Sequence, residues 1–499
     1  MNLYQIFRDR FEAHLDQPFL ISPGEAVCSY GDIDRLSACF AAALRLEDVN
    51  ALDRVVVQVD KSAGAVALYL ACLRIGAVYV PLNVAYTAAE VAYFLSDAAP
   101  TLFVCRPASA DQLYEVARQA GVPVTRTLGT SLDGSLGHVT HKLTPSEALT
   151  ERAPDDVAAM LYTSGTTGRS KGAMLTLENL ASNAVTLHKY WGFRPGDVLL
   201  HALPIFHVHG LFVALHCAML NASSVIFLPS FNTHEVRRAL ADATVMMGVP
   251  TFYTRLLDNE EFTREDCRNI RLFISGSAPL TEQTFTQFEQ RTGHRILERY
   301  GMTETNMITS NPLDGERIAG TVGYALPGIE VRVTGDSGKS LPPGELGSVE
   351  LKGPNVFTGY WRMPQKTAQE FRSDGFFITG DLGLLDQDGR LSLVGRSKDL
   401  IISGGYNIYP QEIESVIDAL PGVVESAVIG VPHPDFGESV IAVVVAIKDQ
   451  AVTEASIIEA TALQLARFKQ PRRVILVDEL PRNTMGKVQK NILRDRYSA

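Results

Sequence analysis

Between residues 51 and about 330, short β-branched runs alternate with helical stretches. VVVQV (55–59), TLFVC (101–105), SVIFL (224–228) and RLFIS (271–275) are interleaved with segments such as SAGAVALYLACLRIG (62–76). Such runs offer no polar face to water, so both faces must be covered, a condition that parallel sheets flanked by helices meet. Between 321 and 395 the texture changes to short alternating strands separated by Gly/Pro turns (GIEVRVTGDSGKSLPPGELGSVELKG, DGRLSLVGR), which predict an antiparallel subdomain. From about 397 the pattern becomes small α+β, with a helix at 410–420, strands at 425–431 and 439–447, and a helix at 453–466. The expected fold class is therefore α/β. Residues 1–396 form a large N-terminal domain of parallel sheets covered by helices plus an antiparallel β subdomain, and 397–499 a small α+β C-terminal domain. A chain of 499 residues is long enough for both.

The formal charge of −11, from 45 basic and 56 acidic residues, removes a general footprint for nucleic acid, and a polyanionic partner would need a local basic site. The last 33 positions, 467–499, hold nine Lys/Arg and three Asp/Glu, a basic tail whose simplest reading is a solvated surface. The six cysteines (28, 39, 72, 105, 217 and 267) contain no CxxC pair or metal-ligand spacing, and read as thiols in a reducing compartment. The first twenty residues carry acids among their apolar positions and lack a signal-peptide core; Leu3, Phe7, Phe11 and Leu15 mark one face of a short helix. Residues 198–234 contain no Asp, Glu, Lys or Arg, but Pro204, Gly210, His207, His209, His216 and Asn221 interrupt them, so they read as buried core and not a membrane span. A cytoplasmic protein with no membrane partner is expected.

The densest chemical signal is Tyr162-Thr163-Ser164-Gly165-Thr166-Thr167-Gly168-Arg169-Ser170-Lys171-Gly172, at the end of the apolar run VAAMLY. Such a turn presents backbone N–H groups, hydroxyls and a cation together, which is what polyphosphate oxygens require. It is not a Walker A loop, because Ser170 stands where the glycine before Lys171 is needed. Elsewhere, Asp381 in TGDL is an acceptor-only group suited to two adjacent ribose hydroxyls. His207 and His209 alternate on a predicted strand, but no acid or cysteine nearby in sequence completes a metal site.

The loop resembles the phosphate loop of the adenylate-forming superfamily, which includes acyl-CoA synthetases, firefly luciferases and nonribosomal peptide adenylation domains. The usual proline before the loop lysine is Ser170 here. Further motifs follow in the family's order: LPIFHVHG (203–210), ERYGMTE (298–304), GYALPG (323–328), TGDL (379–382), GRSKDLIISGGYNIYPQEIE (395–414) and PRNTMGKVQK (481–490). Together they span most of the chain.

The resemblance implies an enzyme that uses ATP, Mg2+ and coenzyme A. ATP would be held by Thr163, Ser164, Gly165, Thr166, Thr167, Gly168, Lys171, Gly172, Tyr300, Gly301, Thr303, Asp381, Arg396 and the catalytic Lys487; the metal would take Thr167 and Glu304. An ammonium at 487 suits the charge that shifts between an attacking carboxylate and an α-phosphate, and one carboxylate plus phosphate oxygens and waters suits magnesium. A mobile small domain would turn about the hinge Lys398, bringing Ser403, Gly404, Gly405 and Tyr406, the CoA-facing loop, to the site.

Within the superfamily the chain resembles malonyl-CoA synthetases in particular, through Arg299 in ERYGMTE, VPTFYTRLL around Arg255 and SGSAPL around Ser277. A dicarboxylate's second charge must be paired if buried, and two arginines with a hydroxyl suffice. His207, Arg255, Ser277, Arg299 and Met302 are thus the implied substrate residues. The expected reaction joins malonate, with methylmalonate as a further candidate, to CoA through a malonyl-adenylate. The partners implied are small molecules, with a lysine acetyltransferase and deacetylase acting on Lys487 as a corollary. Rival readings are a CoA ligase for an aryl or medium-chain acid, an adenylation domain that loads a carrier protein, a luciferase-like oxygenase and an inactive binding module.

Overall fold

A computed structural model describes residues 1–140, 142–163, 170–403, 406–434, 436–448, 450, 452–483 and 486–498. Local chemistry sets where its elements begin and end. The helix Ala63–Ile75 starts where the Ser62 hydroxyl accepts the Ala65 N–H and stops at Gly76, whose φ of +74° is a left-handed turn. Every residue from Gly64 to Ile75 is buried, which is why this helix is apolar all round save Arg74, which pairs with Asp34.

The described residues build two large sheets. In the first, Val157–Thr163, Val78–Pro81, Arg54–Gln58, Leu102–Cys105 and Val124–Thr127 run parallel in that order, and Lys171–Thr176 and Gly359–Tyr360 close one edge antiparallel. In the second, Leu297–Met302, Leu272–Ser275, Val245–Gly248, Val198–His201, Ser224–Phe227 and Pro18–Ile21 are parallel, with antiparallel strands at both edges. The antiparallel subdomain is a sheet of Glu330–Thr334, Gly347–Lys352, Phe377–Leu385 and Leu391–Arg396.

After a 3-10 turn at Ser397–Asp399 comes a smaller sheet with its own core of Ile401, Ile408, Ile413, Ile417, Val428, Val440 and Val444. The basic tail is not simply a solvated surface. It supplies the strand Arg473–Val477, parallel to Gly437–Ala446, and the helix Lys490–Tyr497. Its cations find acids: Lys469 Nζ is 2.6 Å from Glu412, Lys490 Nζ 2.6 Å from Glu414, and Arg494 pairs with Asp399.

Two expectations are corrected. The first helix ends at Phe11 and Leu15 is 37% exposed, because a 3-10 turn at Glu12–His14 redirects the chain. His207 and His209 do not share a strand: Val198–His201 ends before them, and residues 209–215 wind as a π-helix. Pro204 denies that turn a strand hydrogen bond, and Gly210 packs so closely that a Cβ there would lie 2.1 Å from the Pro204 carbonyl oxygen. Among the described residues, no helix is long and apolar enough to cross a membrane.

Candidate active site

The strand Leu297–Met302 is the spine of the site, and three consecutive residues on it serve three neighbours. Glu298 accepts the Leu280 N–H at 3.0 Å, Arg299 is buried, and the Tyr300 hydroxyl donates to Asp381. Gly301 can only be glycine, since a Cβ would lie 2.1 Å from the Asn306 carbonyl oxygen; Met302 and Thr303 lead into the turn that carries Glu304.

Asp381 is 5% exposed and spends both carboxylate oxygens within the chain, one on Tyr300 and one on Arg396, whose Nε is 2.7 Å away. This follows from register, because Asp381 and Arg396 are opposite one another on paired strands. Burial works against the Arg396 charge, but Asp381, Tyr300 and Glu304 outweigh it and hold its pKa above the ordinary value. Burial, with Asp381's negative charge added, raises the Tyr300 phenol.

Thr163 and Lys171 are cross-strand partners, so the segment between them joins two antiparallel strands and leads into a strand, whereas a Walker loop leads into a helix. Ser164, Gly165, Thr166, Thr167 and Gly168 lie outside the described residues. Glu304, 5% exposed, accepts the Tyr360 hydroxyl at 2.9 Å and has Thr163 Oγ1 at 3.5 Å. Lys171 Nζ sits 4.0 Å from the Tyr360 ring centroid and 3.8 Å from Glu370; burial lowers its pKa and Glu370 and Glu304 pull it back. Beside it, Gly172 leaves no room for a Cβ, which would lie 2.8 Å from Met160 Sδ. A threonine hydroxyl, an ammonium and a carboxylate thus converge where a polyphosphate would lie. Among the described residues no three or more His, Cys, Asp or Glu are grouped to hold a metal, and a single buried acid fits an ion that takes most of its ligands from phosphate and water.

Arg299 is 2% exposed, and among the described residues its Nε and Nη2 have no hydrogen-bond partner. Gly276 makes room for it: a Cβ there would fall 2.5 Å from the guanidinium carbon. Ser277 follows with φ +74°, a left-handed conformation that costs a serine roughly 1–2 kcal/mol. Its hydroxyl meets His209 Nδ1 at 3.2 Å, while the His209 N–H donates to His207 Nδ1 at 3.3 Å. The two imidazoles are engaged with chain and pocket, not arranged around an ion. Burial, with Arg299's charge added, lowers His207 to about 4 and His209 well below its ordinary value, so both are neutral at pH 7. Arg299, lowered to about 9 by burial and pulled back by Tyr253 and Glu298, remains a buried cation.

Lys487 comes from the small domain, on a turn closed by hydrogen bonds between Asn483 and Lys487. That turn packs on the helix Pro250–Leu257, with Gly486 so close that a Cβ would lie 2.9 Å from Thr251 Oγ1. The Lys487 side chain is exposed to solvent, yet desolvation in the cleft and the repulsion of Arg396 and Lys398 lower it to about 8 against Asp381 and Asp399. Its charge reaches His207 as well. Beneath the turn is a cavity of about 160 Å³ lined by Leu203, Pro204, Thr251, Arg255, Asn483 and Gly486 among others. Arg255 is exposed on its wall, 6.0 Å from the Phe231 ring, and no contact joins it to Arg299 among the described residues. Ser403 and Tyr406 pair across a hairpin of the small domain, and Tyr406, 57% exposed, stacks on Phe468. Gly404 and Gly405 lie outside the described residues. Lys398 is exposed in the 3-10 turn Ser397–Asp399.

The sequence reading missed Gly276, the Ser277–His209 contact, and Tyr360 and Glu370 beside Lys171. The glycine between two serines after an apolar strand was a usable signal for Gly276; nothing local marks the other residues.

A site of this geometry on this fold has a family. The chain belongs to the AMP-binding enzyme family, whose profile spans residues 7–361, with the profile of the AMP-binding enzyme C-terminal domain at 412–487. It is 34% identical to the mitochondrial malonate–CoA ligase ACSF3 of Mus musculus, over 95% of this chain and 85% of that protein. It is 35% identical to the long-chain-fatty-acid–CoA ligase FadD13 of Mycobacterium tuberculosis, over 94% of this chain and 93% of that one. Among solved structures, ATP-bound MatB from Rhodopseudomonas palustris superposes with a TM-score of 0.96 at 53% identity, covering 100% of this chain and 99% of that one; its apo form gives 0.85.

Proposed function

We propose that the protein is an ATP-dependent, AMP-forming malonate–CoA ligase that works through a malonyl-adenylate. Several relatives are malonate–CoA ligases, which supports malonate as the acid, while a long-chain ligase is also similar to the chain. The observation that carries the choice is Arg299: a buried cation with two unused N–H groups favours a substrate that brings a second carboxylate, and disfavours an alkyl tail. His207, Ser277 and Met302 complete that subsite, with Arg255 as a second cation at the cleft wall. ATP use draws support from the likeness to ATP-bound MatB.

In the first step one malonate carboxylate attacks the α-phosphate and pyrophosphate leaves. Asp381 and Arg396 orient the ribose, Thr163, Lys171 and the 164–168 loop hold the phosphates, and Lys487 stabilises the charge passing from carboxylate to phosphate. Mg2+, seated by Glu304 and Thr167, would neutralise the phosphate oxygens. In the second step the domains, divided at 396/397, turn about Lys398. Lys487 withdraws, the 403–406 hairpin approaches, and CoA thiolate attacks the acyl carbonyl as AMP leaves. Acetylation of Lys487 would remove the needed charge, which makes an acetyltransferase and deacetylase candidate partners. The six free cysteines suit a reducing compartment, which we read as cytoplasmic, although the mouse relative is named mitochondrial. The test is CoA-dependent AMP release over malonate, methylmalonate, succinate, acetate, octanoate and coumarate. Malonate should lead; a preference for octanoate or coumarate would overturn the assignment.

A further inference from the structure

Lys61 and His201 have no part in the site as assigned, yet they are joined to it. Lys61 follows the strand Arg54–Gln58 of one large sheet, and His201 ends the strand Val198–His201 of the other. Lys61 Nζ lies 2.6 Å from the Leu228 carbonyl oxygen, 2.9 Å from that of His201 and 2.8 Å from His201 Nδ1, and it rides 4.3 Å over the Phe227 ring. Burial pulls the Lys61 pKa well below its ordinary value, but three acceptors match the three donors of an ammonium and hold the charged form. On the other side of the ring, His201 Nε2 faces the Gly210 carbonyl oxygen at 2.9 Å. A carbonyl only accepts, so the proton must sit on Nε2 and Nδ1 must be the acceptor toward Lys61: both contacts demand one tautomer. Burial, with the Lys61 charge added, keeps the ring neutral.

Gly210 is the second residue of the π-helical turn, pressed against Pro204. Its neighbours His207 and His209 are coupled to each other and, through His209, to Ser277. A shift of the Gly210 carbonyl would therefore move His207 and His209, which feel the Arg299 charge, and a π-turn at such a site is a common functional device. We propose that Lys61 is a positioning residue of the acyl pocket: by holding His201 as a donor to Gly210 it fixes where His207 and His209 stand relative to Arg299. This rests on the malonate reading for its substrate but not for its geometry.

The test compares Lys61→Met with wild type. KM for malonate should rise between about ten- and a hundredfold, as small misplacements of a reacting pocket do, while KM for ATP stays within about twofold. The preference for malonate over butyrate should fall by the same factor. Imidazole 15N shifts, with His201 assigned by its own substitution, should give the Nε2–H tautomer in wild type and a mixture in Lys61→Met. Equal rises in both KM values, or a wild-type His201 protonated on Nδ1, would overturn the proposal. If Lys61→Met does not fold, the pair His201→Gln and His201→Phe decides. Glutamine can keep an N–H for Gly210 and an oxygen for Lys61 and should recover most of the malonate affinity; phenylalanine should not, and equal behaviour of the two would sink the idea. Should wild type activate a different acid, the malonate reading fails alone: the tautomer result stands, and the KM comparison is run with that acid.

Discussion

Asp381 and Arg299 are both buried charges, each touching or adjoining Tyr300, and the chain treats them in opposite ways. Both oxygens of Asp381 are met by groups of the protein, whereas Arg299 has two N–H groups with no partner among the described residues. A buried ion costs several kcal/mol unless it is paired, so, on the proposed assignment, the nucleotide half of the site is completed by folding and the acyl half only by its substrate. The lesson concerns where specificity resides. On the proposed assignment, the group that meets the nucleotide is satisfied in advance, and the group that would select the acid is the one left wanting.

The largest expected effect removes the residue proposed to serve both halves. Lys487 is felt by His207 on the acyl side and feels Asp381 and Arg396 on the ribose side. Lys487→Ala should slow malonyl-AMP formation by roughly 10²–10³, the usual cost of losing one transition-state donor, while thioester formation from supplied malonyl-AMP retains much of its rate. Equal loss of both steps in a folded variant would show that the two halves do not share this lysine. The lowered pKa has a direction to check. A lysine is active while charged, so kcat/KM for adenylation should fall as pH rises through about 8. Glu298, raised to about 8 by burial, titrates in the same window, and persistence of that limb in Glu298→Gln assigns it to Lys487.

Next comes the comparison itself. Arg299→Ala should cost malonate about 30-fold or more in kcat/KM, from roughly 2–5 kcal/mol for one partner of a desolvated pair, with KM for ATP little changed. Butyrate should lose little. Asp381→Asn should do the reverse, raising KM for ATP alike for every acid. Stability should split the same way. Arg299→Met relieves an uncompensated charge and should raise Tm, whereas Asp381→Ala strands Arg396 and should lower it. A lower Tm in Arg299→Met would mean the free protein pairs Arg299 after all.

This contrast also explains how much the sequence could tell. Asp381, Arg396, Thr163, Lys171 and Glu304 lie in local motifs because turns and strand ends deliver them, and the structure does bring them together. The alternating runs likewise predict the parallel strands to within a residue or two. What escaped depends on distant segments. Gly276 matters only because Arg299 needs its space, and Lys61 meets His201 across 140 positions. The misread strand at 203–210 has a local cause, since apolar alternation there competes with Pro204 and with a glycine packed on its carbonyl.

A smaller effect is expected at the proposed hinge. Lys398→Pro fixes φ near −65°, which suits the 3-10 turn seen here, so adenylation should survive and CoA ligation should fall by roughly tenfold if a rotated arrangement is required. Unchanged steady-state ligation would remove either the hinge or the need for it.

The smallest effect tests whether Arg255 belongs to the acyl half at all. It carries a charge on the wall of the cavity beneath Lys487, but the side chain is exposed and its nearest aromatic contact is at 6.0 Å. An exposed cation attracts an anion through water, which is worth up to about 1 kcal/mol, or about fivefold. Arg255→Ala should therefore reduce malonate kcat/KM by about that factor, and less at high salt, where screening has already taken most of the attraction. A loss within about twofold at low salt would make Arg255 a surface arginine and leave Arg299 alone in the acid's recognition. A loss as large as that of Arg299→Ala, insensitive to salt, would mean that the substrate draws Arg255 inward and is clamped by two arginines.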